Sequence, residues 1–96
     1  MTSRNTNVAQ GTFFVANDKG LHTRPSTELV KCATNFKAQI TLKYLDSTAN
    51  AKSLLSILML AAAKGSRIDI EAVGDDAALA VKTLLKLAKS KFNIKY

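Results

Sequence analysis

Residues 67–73 read RIDIEAV, and their alternation decides the fold. Ile68, Ile70 and Ala72 share one side of an extended chain while Arg67, Asp69 and Glu71 share the other. That is the period-2 signature of a strand with one buried face. Such a strand needs an apolar layer to lie against, and the flanking sequence supplies it. Gly74 makes a turn, and Asp75 or Asp76 caps a helix whose positive end both acids favour. This last helix runs to about Lys91. It buries Ala77, Ala80, Val81, Leu84, Leu87 and Ala88 and turns Lys82, Lys86 and Lys89 outward as a solvated face.

Upstream, Ser53–Ala63 (SLLSILMLAAA) reads as a short apolar helix ended by Lys64, Gly65 and Ser66. Before it, QITLKY (residues 39–44) alternates again, with Asp46 and Ser47 as a hairpin turn and Thr48–Ala51 as the return strand. The chain opens with an apolar, β-rich run, Thr12–Ala16, and turn residues Asn17 to Gly20. A helix follows over Thr23–Phe36, with Leu29, Val30, Ala33 and Phe36 at helical spacing. The order is β-α-β-β-α-β-α. It predicts an α+β fold: a two-layer open-faced sandwich with a four-stranded antiparallel sheet covered on one face by three helices. Residues 11–96 form the one domain expected, after a flexible N-terminal extension at residues 1–10.

Bulk properties narrow the function. The 96 residues carry 14 Lys and Arg against 7 Asp and Glu, a formal net charge of +7, which favours an anionic partner. The basic residues form no run, and four Phe and two Tyr give no platform for base stacking, so nucleic acid is not the expected partner. One histidine and one cysteine make no metal cluster, and no cofactor is expected. Cys32 has no partner for a disulfide, and nothing near it argues for a reactive thiol. The first ten residues lack a secretory signal's apolar core, and no run suits membrane insertion. A cytoplasmic monomer is the expectation.

Residues 20–30, GLHTRPSTELV, hold the single histidine and the single proline. A histidine beside a helix start is ordinarily a capping or surface residue. Three features favour chemistry. His22 sits where the helix dipole and unsatisfied N–H groups attract an anion. Arg24 offers a bidentate fork to phosphate oxygens. Pro25 fixes the first turn. A histidine is also a competent nucleophile near neutral pH. No carboxylate base and no glycine-rich nucleotide loop accompanies it. The site suits receipt and transfer of a phosphoryl group.

GLHTRPS ahead of a helix, NAKSLLSILML and AAAKGSRIDIEAVG together resemble the histidine-containing phosphocarrier family, HPr, of the bacterial phosphoenolpyruvate:sugar phosphotransferase system, from about Gly11 to Phe92. The resemblance implies a phosphocarrier, not an enzyme. His22 would be phosphorylated on ring Nδ1 by enzyme I and would donate to enzyme IIA proteins. Arg24 would be the charge-stabilising arginine, with Thr23 and Pro25 supporting the phosphate. Ser53 matches a serine that a dedicated HPr kinase/phosphorylase modifies in many relatives; its plainer role is to cap the second helix. Leu54, Leu55 and Leu58, with Thr27 and Lys31, would form the docking surface for acidic-rimmed partners. Leu54, Leu55 and Leu58 are otherwise core residues, but Ile57, Met59 and Leu60 are apolar too, and one buried face does not need all six.

The chain departs from the family in having Ser56, Ala61 and Ala63 in the second helical segment, and Asp46 in the hairpin turn, where glycines are common. LMLAAAKG and IDIEAVG lean towards the nitrogen-related branch of carriers, whereas Lys52-Ser53 leans back to the sugar branch. Two other classes remain: a regulatory binder controlled by Ser53, and a nucleic-acid binder with steep salt dependence and no need of His22.

Overall fold

The computed structural model describes residues 7–95, so most of the extension expected at residues 1–10 lies outside the described residues. Four strands, β1 (Val8–Phe14), β2 (Gln39–Tyr44), β3 (Ser47–Asn50) and β4 (Arg67–Val73), form one antiparallel sheet in the order β1-β4-β2-β3. Helices α1 (Thr23–Ala33), α2 (Leu54–Leu58) and α3 (Ala77–Lys89) complete the fold. This is the open-faced α+β sandwich expected.

The central strand β4 carries the register. Ile68, Ile70 and Ala72 are buried. β1 meets them with Phe13, which pairs with Ile68, and with Gly11, opposite Ile70. β2 contributes Ile40, opposite Ala72, and Leu42, opposite Ile70. At Gly11 α3 lies directly on the strand, because an added Cβ would fall 2.8 Å from Val81 Cγ1 and 2.9 Å from Leu85 Cδ1. The outer face stays wet. Thr12 donates to Asp69 (2.8 Å), Gln10 to Glu71 (3.3 Å), and Arg67 pairs with Asp69 (3.1 Å). The Thr12 bond, ahead of the Arg67 and Lys43 charges, lowers the Asp69 pKa.

Four boundaries differ from expectation. Strand β1 begins at Val8, so Val8, Ala9 and Gln10 belong to the sheet and not to a flexible extension; they pair with Val73, Ala72 and Glu71, with Ala9 turned to the core and Val8 and Gln10 to the outer face. The hairpin turns at Leu45 and Asp46, with Leu45 at φ +55°, and Ser47 already pairs with Tyr44. Helix α1 stops at Ala33; Asn35 N–H and Phe36 N–H then bond three residues back to Cys32 and Ala33, which tightens the exit. Helix α2 ends at Leu58, not Ala63, because the following alanines bond elsewhere, as described below.

Beyond α3 the chain does not simply trail off. Lys91, Phe92 and Asn93 all adopt left-handed φ values of 56–61°, costly for residues other than glycine. Burial of Phe92, edge-on to Phe13 with ring centroids 5.7 Å apart, offsets that cost. Asn17, wholly buried, donates its amide N–H to Lys91 C=O at 3.0 Å and ties the turn to the loop after β1. Leu87, expected in the core, is only half-buried beside it.

Asp76 stands at the N-cap of α3, but neither it nor the sequence spacing delivers the expected cap: its side chain makes no capping bond. Its carboxylate instead accepts from Lys37 N–H and Ala38 N–H, both at 2.8 Å, joining α3 to the start of β2. Those bonds, Lys37 foremost, lower its pKa. A carboxylate with a lowered native pKa adds stability that is present above the unfolded-state value and lost as pH falls through the native one. Replacement Asp76→Asn is expected to lower the urea midpoint at pH 7. The gap from wild type should close as the pH falls below the ordinary carboxylate range, which urea titrations from pH 7 downward would reveal.

Candidate phosphoryl site

Gly20 brings the loop before α1 against the chain after α2. It sits at φ +74°, and a Cβ there would lie 2.3 Å from the Ala62 carbonyl oxygen, so only glycine fits. Leu21 N–H then donates to Ala62 C=O at 2.9 Å. This bond explains the short α2: Ala61 takes φ +53°, the chain leaves the helix, and Ala62 faces the loop before α1. Alanine's helix propensity yields here to a tertiary bond.

Ser26 secures the same loop from the helix side. Its side chain is fully buried, and its hydroxyl donates to Leu21 C=O at 2.8 Å, while Ser26 N–H donates to His22 C=O at 3.0 Å. Pro25, also buried, fills the first turn, where its missing N–H costs least. Thr27 returns its hydroxyl to Thr23 C=O at 2.7 Å.

His22 is the N-cap residue of α1 in extended conformation, φ −87° and ψ −163°, and its side chain makes no capping hydrogen bond. The imidazole is therefore not consumed by the helix it precedes. Its Nε2 is buried and has no hydrogen-bond partner among the described residues. The ring lines a pocket of about 260 Å³ with Lys19, Leu21, Leu58, Ala61, Ala62 and Ala63. Arg24 is exposed on the first turn of the helix. A larger groove of about 680 Å³ runs between α1 and α3 beside Cys32, Lys31 and Lys86, and neither His22 nor Arg24 lines it. Burial raises the Cys32 pKa, as suits a structural thiol. No group of three His, Cys, Asp or Glu stands ready to hold a metal among the described residues.

Helix α2 borders the site. Ser53 is its N-cap, and its hydroxyl accepts from Ser56 N–H at 3.2 Å, the plainer role expected of it. The neighbouring Lys52 ammonium donates to Phe36 C=O beyond the end of α1 (2.6 Å). Ile57 and Leu60 are core, Leu54 and Leu58 half-buried, and Leu55 and Met59 are 70% and 76% exposed. The exposed apolar patch therefore centres on Leu55 and includes Met59, which spacing alone did not single out. Lys31, on α1, is exposed and pairs loosely with Glu28 at 3.4 Å. Three further residues escaped sequence reasoning. Ala62 was hidden inside an apparent helix. Ser26 uses a bond to a carbonyl five residues back, which has no spacing signature. Lys19 reads as a turn residue.

With this geometry in view, the relatives are informative. A family model described as "PTS HPr component phosphorylation site" matches residues 9–90. The phosphocarrier protein HPr of Neisseria meningitidis serogroup A is 38% identical over 78 residues, 81% of this chain and 88% of that protein. The multiphosphoryl transfer protein of Salmonella typhimurium is 40% identical over 80 residues, 80% of this chain but 21% of that longer protein. The crystal structure of HPr-C-His from Thermoanaerobacter tengcongensis superposes with a TM-score of 0.87 at 34% identity, over 92% of this chain and 99% of that one. The chain belongs to the HPr family of phosphocarriers, non-enzymatic components of the phosphotransferase system.

Removing the Ser26 hydroxyl tests the support of the loop. Ser26→Ala leaves the Leu21 carbonyl without its buried donor, at a cost of about 1–3 kcal/mol. Equilibrium unfolding should show that loss, and amide exchange at Leu21 should accelerate.

Proposed function

We propose that His22 is the phosphoryl acceptor of this carrier, taking the group from phosphorylated enzyme I and passing it to enzyme IIA proteins. The observation that carries this reading is the imidazole at the N-cap of α1 with no capping bond, held by a rigid loop over a shallow pocket. Burial of Nε2 supports Nδ1 as the atom that forms the bond. The lone pair of Nδ1 attacks phosphorus as the donor's bond to phosphorus breaks on the opposite side; the return transfer reverses the roles. Arg24 meets the phosphoryl oxygens, and the start of α1 at Thr23 and Pro25 adds the positive end of the helix dipole. Positioning within a docked pair of proteins supplies most of the acceleration.

Leu54, Leu55 and Leu58, with Thr27 and Lys31, form the docking surface in this reading. Solvent exposure of Leu55 and Lys31 supports it, and the net charge of +7 suits a partner with an acidic rim. The carrier acts as a cytoplasmic monomer; no helix among the described residues is long and apolar enough to cross a membrane. Ser53 is a regulatory site for an HPr kinase/phosphorylase. A phosphate there keeps an acceptor for Ser56 N–H and gains from the helix end. It also sets negative charge beside Leu54 and Leu55, which opposes an acidic partner. The nitrogen-branch carrier is the second reading, favoured by the alanine-rich chain over residues 61–63 that lines the His22 pocket.

Phosphoenolpyruvate with purified enzyme I of each branch should add one acid-labile phosphoryl group to the wild type and none to His22→Ala, as read by intact mass. Absence of transfer from both enzymes would refute the carrier role of His22. Ser53→Asp should slow transfer about tenfold or more through a raised KM, with the fold intact by circular dichroism; an unchanged KM would remove Ser53 from regulation.

A further inference from the structure

We propose that Lys19 is a further phosphate-binding residue of this site, an ammonium supplied by the turn before α1 to the phosphoryl group carried on His22. The inference rests on the reading of His22 as acceptor and extends it to a residue outside the helix.

Lys19 and His22 line the same pocket, and no acidic residue lines it with them. The backbone between them is fixed at two points. Gly20 N–H donates to Asn17 C=O at 3.0 Å, and Leu21 N–H to Ala62 C=O at 2.9 Å. The close approach of Gly20 to Ala62 leaves the turn no room to rearrange. The backbone at Lys19 is thus anchored three residues ahead of the imidazole, with its side chain exposed to solvent.

Charge points the same way. The neighbouring acid, Asp18, is engaged by Lys64 at 3.2 Å, and Lys19 makes no ion pair among the described residues. Apart from Lys19 and His22, the pocket is walled by Leu21, Leu58 and three alanines. Lys19 is solvent-exposed, so its ammonium is free to meet an anion at the mouth of this pocket, beside the nucleophile, where the interaction is that of a solvent-screened pair. Arg24 and Lys19 would then act differently. The guanidinium holds two oxygens in a fixed fork, whereas the ammonium, on a flexible stem, follows the oxygens as the group arrives and departs.

The test uses the isolated protein, so that no partner contributes. Wild type, Lys19→Gln, Lys19→Arg and His22→Ala are phosphorylated chemically with phosphoramidate, and the decay of the added mass is followed at neutral pH. The phosphorylated Lys19→Gln protein should lose its group about three- to tenfold faster than wild type, the scale of one screened charge about 5 Å away. Lys19→Arg should restore most of the lifetime. Equal lifetimes for wild type and Lys19→Gln would overturn the role of Lys19 while leaving His22 as acceptor. A change confined to KM in transfer from enzyme I would also overturn it, placing Lys19 in docking instead. If the wild type gains no more than His22→Ala, the acceptor reading fails, and the role of Lys19 with it.

Discussion

The contact between Gly20 and Ala62 is the constraint on which the site depends. It joins a loop that follows β1 to a segment that follows α2, stretches that no local pattern would bring together. One backbone hydrogen bond at 2.9 Å and one position without a Cβ hold them in register. Everything on either side then falls into place: α2 must stop early, Leu58 and Ala61–Ala63 must line the ring of His22, and Lys19 must project from a turn that cannot slide. Ser26 completes the arrangement by holding the Leu21 carbonyl from within the helix. The imidazole is thus positioned by its neighbours' backbone and keeps its own nitrogens out of the scaffold.

That separation suits a carrier. A residue that must bond phosphorus and release it again cannot also serve as a structural cap, and α1 begins without a side-chain cap. In the proposed reading, Arg24, Lys19 and the start of α1 would stabilise a phosphoryl group on His22 without deep burial, which would keep it within reach of a second protein. The apolar patch of Leu55 and Met59 lies on α2 and at its C-terminal cap, next to Leu58, which lines the histidine pocket, so a partner seated there would stand beside the His22 ring.

Much of this was legible in the sequence. Strands β2 and β4 run over the residues that alternation marks, because one face of each is buried by continuous apolar partners. His22, Arg24 and Pro25 stand out because their types and spacing have a joint electrostatic meaning at a helix start. What was not legible depends on partners distant in sequence. Asp76 looks like a cap, yet its partners are the N–H groups of Lys37 and Ala38. Ala61 to Ala63 look helical because alanine is, and only the loop before α1 draws them away. Val8 to Gln10 look like the end of a polar extension because the residues before them are polar and Ala9 alone of the three meets the core. The left-handed turn at Lys91–Asn93 has no glycine to announce it; its cause is the cavity that Phe92 fills.

Phe13 and its strand find their partners late in the sequence. Strand β1 sits at a sheet edge and pairs only with β4, about sixty residues further along, and Phe13 meets its aromatic partner only when Phe92 arrives. A chain emerging from the ribosome N-terminus first therefore carries a β-rich segment, Val8–Phe14, that has nothing to pair with for most of synthesis. Gln10 and Thr12 interrupt the first half of the strand, but Phe13, Phe14 and Val15 form an unbroken apolar run, and Phe14 is 62% exposed even in the folded chain. That run stays open to self-association until β4 arrives to pair with it.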